Sequence, residues 1–217
     1  IMMMGRFQTD AIDYMIDVQF RIGQRNDLSA DFTEATGPSA AHELRALPGV
    51  RHVEGYRNVP VVLRHGLHHE RNAIQGLARD SVLKRPVNRD LQRVPMPDEG
   101  LLLTDYLAGQ LGVGIGDVVE IEVLEGRRRT VQAVVADVVN EYLGVNAYMD
   151  LGALNLLLGD GERISGVLIA ADADAQSDLF RELERRPRVA GVGVRRLAIQ
   201  NFYETLGESL GVFTYVA

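Results

Sequence analysis

Apolar and polar side chains alternate from Asp13 to Arg21, with Tyr14, Ile16, Val18 and Phe20 on one face and Met15, Asp17, Gln19 and Arg21 on the other. That period of two predicts a half-buried strand. Residues 22–37 are mostly polar around a single Phe32, and strand or loop both fit them. Pro38 and Ser39 open a helix whose stripe is Ala40, Leu44 and Leu47, and Pro48-Gly49 closes it. A second strand follows over 53–63, and His68 to Leu77 reads as its hairpin return with Ile74 and Leu77 inward. Pro86, Pro95 and Pro97 exclude regular pairing in the segment 80–97.

The clearest local unit is LLLTDYLAGQLGVGIGDVVEIEV, residues 101–123. A short apolar run meets the N-cap residue Thr104, and a helix with Leu107, Ala108 and Leu111 on one face stops at Gly112. Gly114, Gly116 and Asp117 then turn the chain into a strand with Val119, Ile121 and Val123 on one side. A dinucleotide fingerprint needs strand, glycines, helix; here the order is helix, glycines, strand, so the glycines read as a helix cap and a tight turn. A hairpin at 125–127 leads to Val131, Ala133 and Val135, and Asp150 caps a helix carrying Leu151, Leu154 and Leu158.

One internal repeat bears on the architecture. Leu44, Pro48, Val50 and Val53 recur at the same spacing as Leu183, Pro187, Val189 and Val192. Upstream of the second copy stand a strand at 166–170 and a helix stripe of Leu179, Phe180 and Leu183; Val192, Val194 and Leu197 resume a strand beyond it. Strand-helix-strand thus occurs twice, which points to an α+β fold: a ferredoxin-like split βαβ repeat with a small β-rich subdomain inserted. The expected division is 10–97 with 160–205 as one discontinuous unit, 98–159 as the insert, and 1–9 and 206–217 as junctions to more apolar chain, the alternative being ends that pack on the domain's own core.

Charge and composition narrow the function. A net charge of −7 with a single lysine argues against nucleic acid as a partner. No cysteine is present, so neither a disulfide framework nor a thiolate metal site is available. His65, His68, His69 and Glu70 form the best candidate cluster, with His68 and Glu70 on one strand face. Two ligands are short of the three or four a metal takes, and His42 and His52 belong to other elements, so a solvated hairpin tip is the competing reading. There is no Gly-x-Ser-x-Gly elbow, and acidic pairs such as Asp98-Glu99, Glu120 with Glu122 and Asp172 with Asp174 are what an acidic protein carries anyway. No catalytic, cofactor-binding or metal residue is assigned. Tyr142, Leu143, Val145, Tyr148 and Met149 form an apolar cluster that either packs inside the insert or contacts a partner or lipid.

Several stretches together resemble the extracytoplasmic domain of permease subunits in the FtsX/MacB-like ABC transporter family: residues 12–20, His42 to Val50, Gly100 to Val123, Glu141 to Met149, Leu154 to Leu158 and Phe202 to Leu206. The resemblance implies a non-catalytic, periplasmic domain of a cell inner membrane protein, held between two transmembrane helices and without a cofactor. It implies as partners a cytoplasmic ATPase subunit acting through the membrane part, a second permease copy, and a lipid, lipoprotein, peptide or periplasmic protein. A freestanding ligand- or metal-binding sensor domain is the alternative from another class.

Overall fold

The computed structural model describes residues 23–126, 128–141 and 144–200. The strand expected at 13–21, the junctions at 1–9 and 206–217, and Tyr142 and Leu143 lie outside them. The described elements run β1 (Leu28–Thr36), α1 (Ser39–Arg45), β2 (Val50–His65), β3 (His68–Leu77), β4 (Leu101–Thr104), α2 (Asp105–Leu111), β5 (Val118–Val123), β6 (Thr130–Val139), β7 (Ala147–Asp150), α3 (Leu151–Leu158), β8 (Ile164–Ala171), α4 (Gln176–Glu184) and β9 (Val189–Val194). The ambiguous stretch 22–37 therefore contains a strand, and the strand resumed after Pro187 ends at Val194, with 195–200 helical.

Four strands form an antiparallel sheet in the order β2-β8-β1-β9. Helices α1 and α4 supply Leu44, Leu179 and Leu183 to a core with Leu28, Ala30, Val53, Val167 and Ile169. The repeated Leu-Pro-Val-Val positions do the same work twice: each helix stops one residue after its leucine, and each strand starts at the first valine. The result is a mixed, sheet-dominated α+β architecture.

The second half of β2 leaves that sheet and closes a barrel. It pairs with β3 from Arg57↔Gly76 to His65↔His68 and with β5 from Val61↔Val123 to Arg64↔Glu120. The circuit then runs through β3-β7 and β4-β6, both parallel, and β7-β4 and β6-β5, both antiparallel, so that six strands surround one core. That core holds Val59, Val61, Leu63, Ile74, Leu101, Leu103, Val119, Ile121 and Val135, with Leu107 and Leu111 of α2 and Leu154 and Leu158 of α3. Closure leaves these six strands no free edge. The β-rich part thus draws β2 and β3 in from outside residues 98–159.

Among the local signals at 101–123 the Gly112 stop acts as read, whereas the Thr104 hydroxyl makes no cap bond and pairs instead with the Asn146 backbone. Thr104 is the extended residue before α2, and Gly112 ends that helix in the left-handed region at φ 64°, where a side chain would be strained. Asp150 caps α3 by accepting the Ala153 N–H at 3.0 Å. The proline-rich segment 78–97 packs outside the barrel, where Met96 meets Leu77, Leu102, Val139 and Tyr148.

Candidate functional site

The start of β1 and the end of β9 lie side by side, because Leu28 pairs with Val194. Next to that pair the Arg195 N–H donates to the Asp27 carbonyl at 3.1 Å. The Asp27 carboxylate accepts from Arg195 Nη2 at 3.0 Å, from the Ala171 N–H at 3.0 Å and from Arg51 Nη2 at 3.4 Å. One carboxylate therefore ties together β1, β2, β8 and the chain leaving β9.

From this end β2 runs to the far side of the molecule. Val53 pairs with Ile169, which pairs with Leu28, and His65 lies twelve residues further along β2. At ~3.3 Å per residue the strand carries its hydrogen bonding across about 40 Å. Arg57 sits where β2 passes from sheet to barrel and is only 2% exposed. Its Nη1 donates to Asn155 at 2.6 Å, and its Nη2 to Asp160 at 2.9 Å and to Glu125 at 3.1 Å. These bonds fasten the end of α3 and the β5–β6 turn to the middle of β2.

The segment 78–97 works as a strap across the same passage. Glu54 on β2 accepts from Ser81 Oγ and from the Val82 and Leu83 N–H groups, and it faces His52 Nε2 at 2.9 Å. Burial pushes the Glu54 pKa up, but these hydrogen bonds outweigh it and hold the carboxyl below its ordinary range. Further along, the Arg25 N–H donates to Leu83 O at 2.7 Å and the Arg85 N–H to Gly23 O at 3.1 Å. Burial lowers the pKa of Lys84, the one lysine, against the pull of Glu141 and Asp31, and burial raises that of Glu141 against its hydrogen bonds from Asn146 and Tyr148.

A groove of about 680 Å³ runs beside α3, lined by Arg79, Asp98, Val134, Met149, Leu156 and Leu157. Leu156 is 82% exposed at its rim, and Arg79 pairs with Asp98 and with Asp150. At the far end, the β2–β3 turn presents Leu67, which is 97% exposed.

The residues singled out in the sequence fall in different places. Tyr148 is buried with its hydroxyl donating to Glu141, and Met149 lies in the barrel core, so both spend their apolar surface inside the protein. Val145 stays 40% exposed, and its carbonyl accepts from Asn72. His65 and His68 face each other across the β2–β3 turn, His69 lies opposite Arg64, and Glu70 opposite Leu63. His65 Nδ1 stands 3.3 Å from the Leu111 carbonyl. His42 and His52 are on α1 and the opposite end of β2. Among the described residues no group of three or more His, Cys, Asp or Glu side chains stands close enough to hold a metal ion. Gly112, Gly114 and Gly116 follow α2 and precede β5, in cap and turn geometry. No described helix is long and apolar enough to cross a membrane.

Asp27, Arg57 and Glu54 were not visible as a group in the sequence. Arg57 did carry a signal: it occupies an inward position in the series Val53, Arg57, Val59, Val61, Leu63, where a charge needs buried partners.

No protein-family model and no curated protein sequence matches the chain. Solved structures do. The periplasmic region of MacB from Actinobacillus actinomycetemcomitans matches with a TM-score of 0.51 at 13% identity, covering 83% of this chain and 93% of that one. The extracellular domain of the noncanonic ABC-type transporter YknZ from Gram-positive bacteria matches with a TM-score of 0.48 at 14% identity, covering 74% and 90%. In fold, this chain is similar to the periplasmic region of MacB.

Proposed function

We propose that this chain is the extracytoplasmic domain of an FtsX/MacB-like ABC transporter permease in the cell inner membrane, and that it relays motion instead of catalysing a reaction. The observation that carries the reading is the hydrogen-bonded meeting of Asp27 and Arg195, supported by the likeness in fold to the periplasmic region of MacB. A domain held between two neighbouring membrane helices must receive and return its chain at adjacent points, and this one does. In this reading the β2-β8-β1-β9 sheet with α1 and α4 is a ferredoxin-like split βαβ body, 10–97 with 160–205, and the barrel grows from the insert at 98–159. The junctions 1–9 and 206–217 continue into membrane helices.

Coupling follows from stiffness. A shift of the two junctions acts on β1 and β9, passes through β8 into β2, and reaches the barrel as rigid-body movement because packed layers do not deform gradually. ATP is then hydrolysed by a separate cytoplasmic subunit, a second permease copy completes the machine, and the domain meets a lipid, lipoprotein, peptide or periplasmic protein; Val145, with Tyr142 and Leu143, belongs to that contact. The test is purification of the full gene product with its chromosomal neighbours. An ATP-hydrolysing subunit in fixed stoichiometry is the expected result. Turnover of ester, phosphate or peptide substrates by the isolated chain, lost on His68→Ala, would contradict it.

A further inference from the structure

Strand β9 is the outer strand of the four-stranded sheet and pairs with β1; among the described residues no strand pairs with its other edge. Its sequence, VAGVGV, holds no charge and no proline, the two devices that normally block an exposed edge. The ladder also shows which groups face outward. In an antiparallel pair, alternate residues exchange hydrogen bonds. Arg195 bonds to Asp27, and the register steps by one residue through Val194↔Leu28, Gly193↔Ser29 and Val192↔Ala30. Gly193 therefore bonds inward, and the backbone groups of Val192 and Val194 point away from β1.

The ends of this edge are strongly basic. Residues 182–196 contain five arginines, Arg185, Arg186, Arg188, Arg195 and Arg196, against Glu182 and Glu184, in a chain of net charge −7. Arg186 is bound to Glu182 and Arg195 to Asp27, whereas the exposed Arg188 and Arg196 flank the strand directly. A second copy is a poor occupant: antiparallel self-pairing of 189–194 sets Arg188 against Arg195, and like charges directly opposed destabilise a sheet. An extended segment with carboxylates at both ends fits both the backbone groups that no described strand pairs and the charge.

We propose that β9 is a docking edge for an extended, acid-flanked peptide segment of another protein, which adds as a fifth strand. The inference stands independently of the transporter reading. The test uses the full chain and a ten-residue probe with six alternating Val and Thr residues between Asp-Glu and Glu-Asp ends, with a Lys-flanked version as control. Fluorescence anisotropy is expected to show saturable, salt-sensitive binding of the acidic probe about tenfold or more tighter than of the basic one. Val192→Pro, which removes an outward N–H and leaves the bonds to β1, is expected to abolish binding without loss of fold by circular dichroism. If that variant unfolds, R188E with R196E serves instead and is expected to reverse the preference between the two probes. Equal binding of the probes, binding that survives Val192→Pro, no reversal in the Glu variant, no binding by the full chain, or dimerisation abolished by Val192→Pro would each overturn the proposal.

Discussion

Asp27 and Arg195 are 168 residues apart in sequence and joined twice in space, once through the backbone at 3.1 Å and once through their side chains at 3.0 Å. The Asp27 carboxylate is mostly shielded from solvent and also serves the Ala171 N–H and Arg51. Asp27→Ala removes the carboxylate that serves Arg195 Nη2 and that N–H, and a loss of about 2–4 kcal/mol of unfolding free energy is expected in urea titration. Asp27→Asn, which keeps one acceptor for Ala171, is expected to recover part of that loss.

Arg57 links the two halves of the molecule, because Asn155, Asp160 and Glu125 all converge on its guanidinium. Removing a buried charge strands its partners more severely than removing an exposed one. Arg57→Ala is expected to cost about 3–5 kcal/mol. Arg57→Lys is expected to cost nearly as much, since one ammonium cannot reproduce the fork that serves three acceptors. Chemical denaturation of both variants checks this, and a cost under about 1 kcal/mol for either would contradict the role.

Glu54 sets an acid limit on the strap. Its folded pKa lies below its ordinary value, so its contribution is present above that ordinary value and lost as pH falls through the folded one. Glu54→Gln is expected to lose about 1–2 kcal/mol near neutral pH and to flatten the acid side of the stability–pH curve. Thermal melts from pH 3 to pH 7 compare the two proteins. In Glu141 the sign is reversed: its raised pKa gives stability below the ordinary value that is lost as pH rises through the folded one. Glu141→Gln is therefore expected to flatten the decline of stability as pH rises above the ordinary carboxyl range.

Gly49 turns the chain from α1 into β2, with φ +78°, and a Cβ there would collide with the Ala175 Cβ. Gly49→Ala meets both backbone strain and the helix start of the second unit. A loss of more than about 2 kcal/mol is expected, against about 1 kcal/mol for Gly112→Ala, whose Cβ would have a 3.6 Å contact to His68. Equal costs would mean that the two units do not press on one another.

Short-range chemistry made much of this fold readable. Gly112, Asp150 and the two Leu-Pro-Val-Val series act within a few residues of themselves, and the helices they bound form there, although α1 ends at Arg45 and leaves Leu47 outside it. β1 was ambiguous because its inward residues include Ala30, too small to mark a face. The barrel was not readable, since its closure rests on the parallel pairs β3–β7 and β4–β6, which join residues far apart in sequence. The candidate site divided in the same way. Val145 remains at the surface, whereas Tyr148 and Met149 alternate into buried positions that composition cannot distinguish from a contact patch. Apart from His52 beside Glu54, the partners of Asp27, Glu54 and Arg57 lie 24 to 168 residues away, and no local pattern announces such convergence.

The most direct measurement inserts a compartment reporter between Gly66 and Leu67, at the exposed β2–β3 turn of the full-length gene product. Alkaline phosphatase folds actively only outside the cytoplasm, and green fluorescent protein exported in unfolded form fluoresces only inside. The account expects phosphatase activity and no fluorescence, with the fusion in the membrane fraction. Bright fluorescence with no phosphatase activity would contradict it.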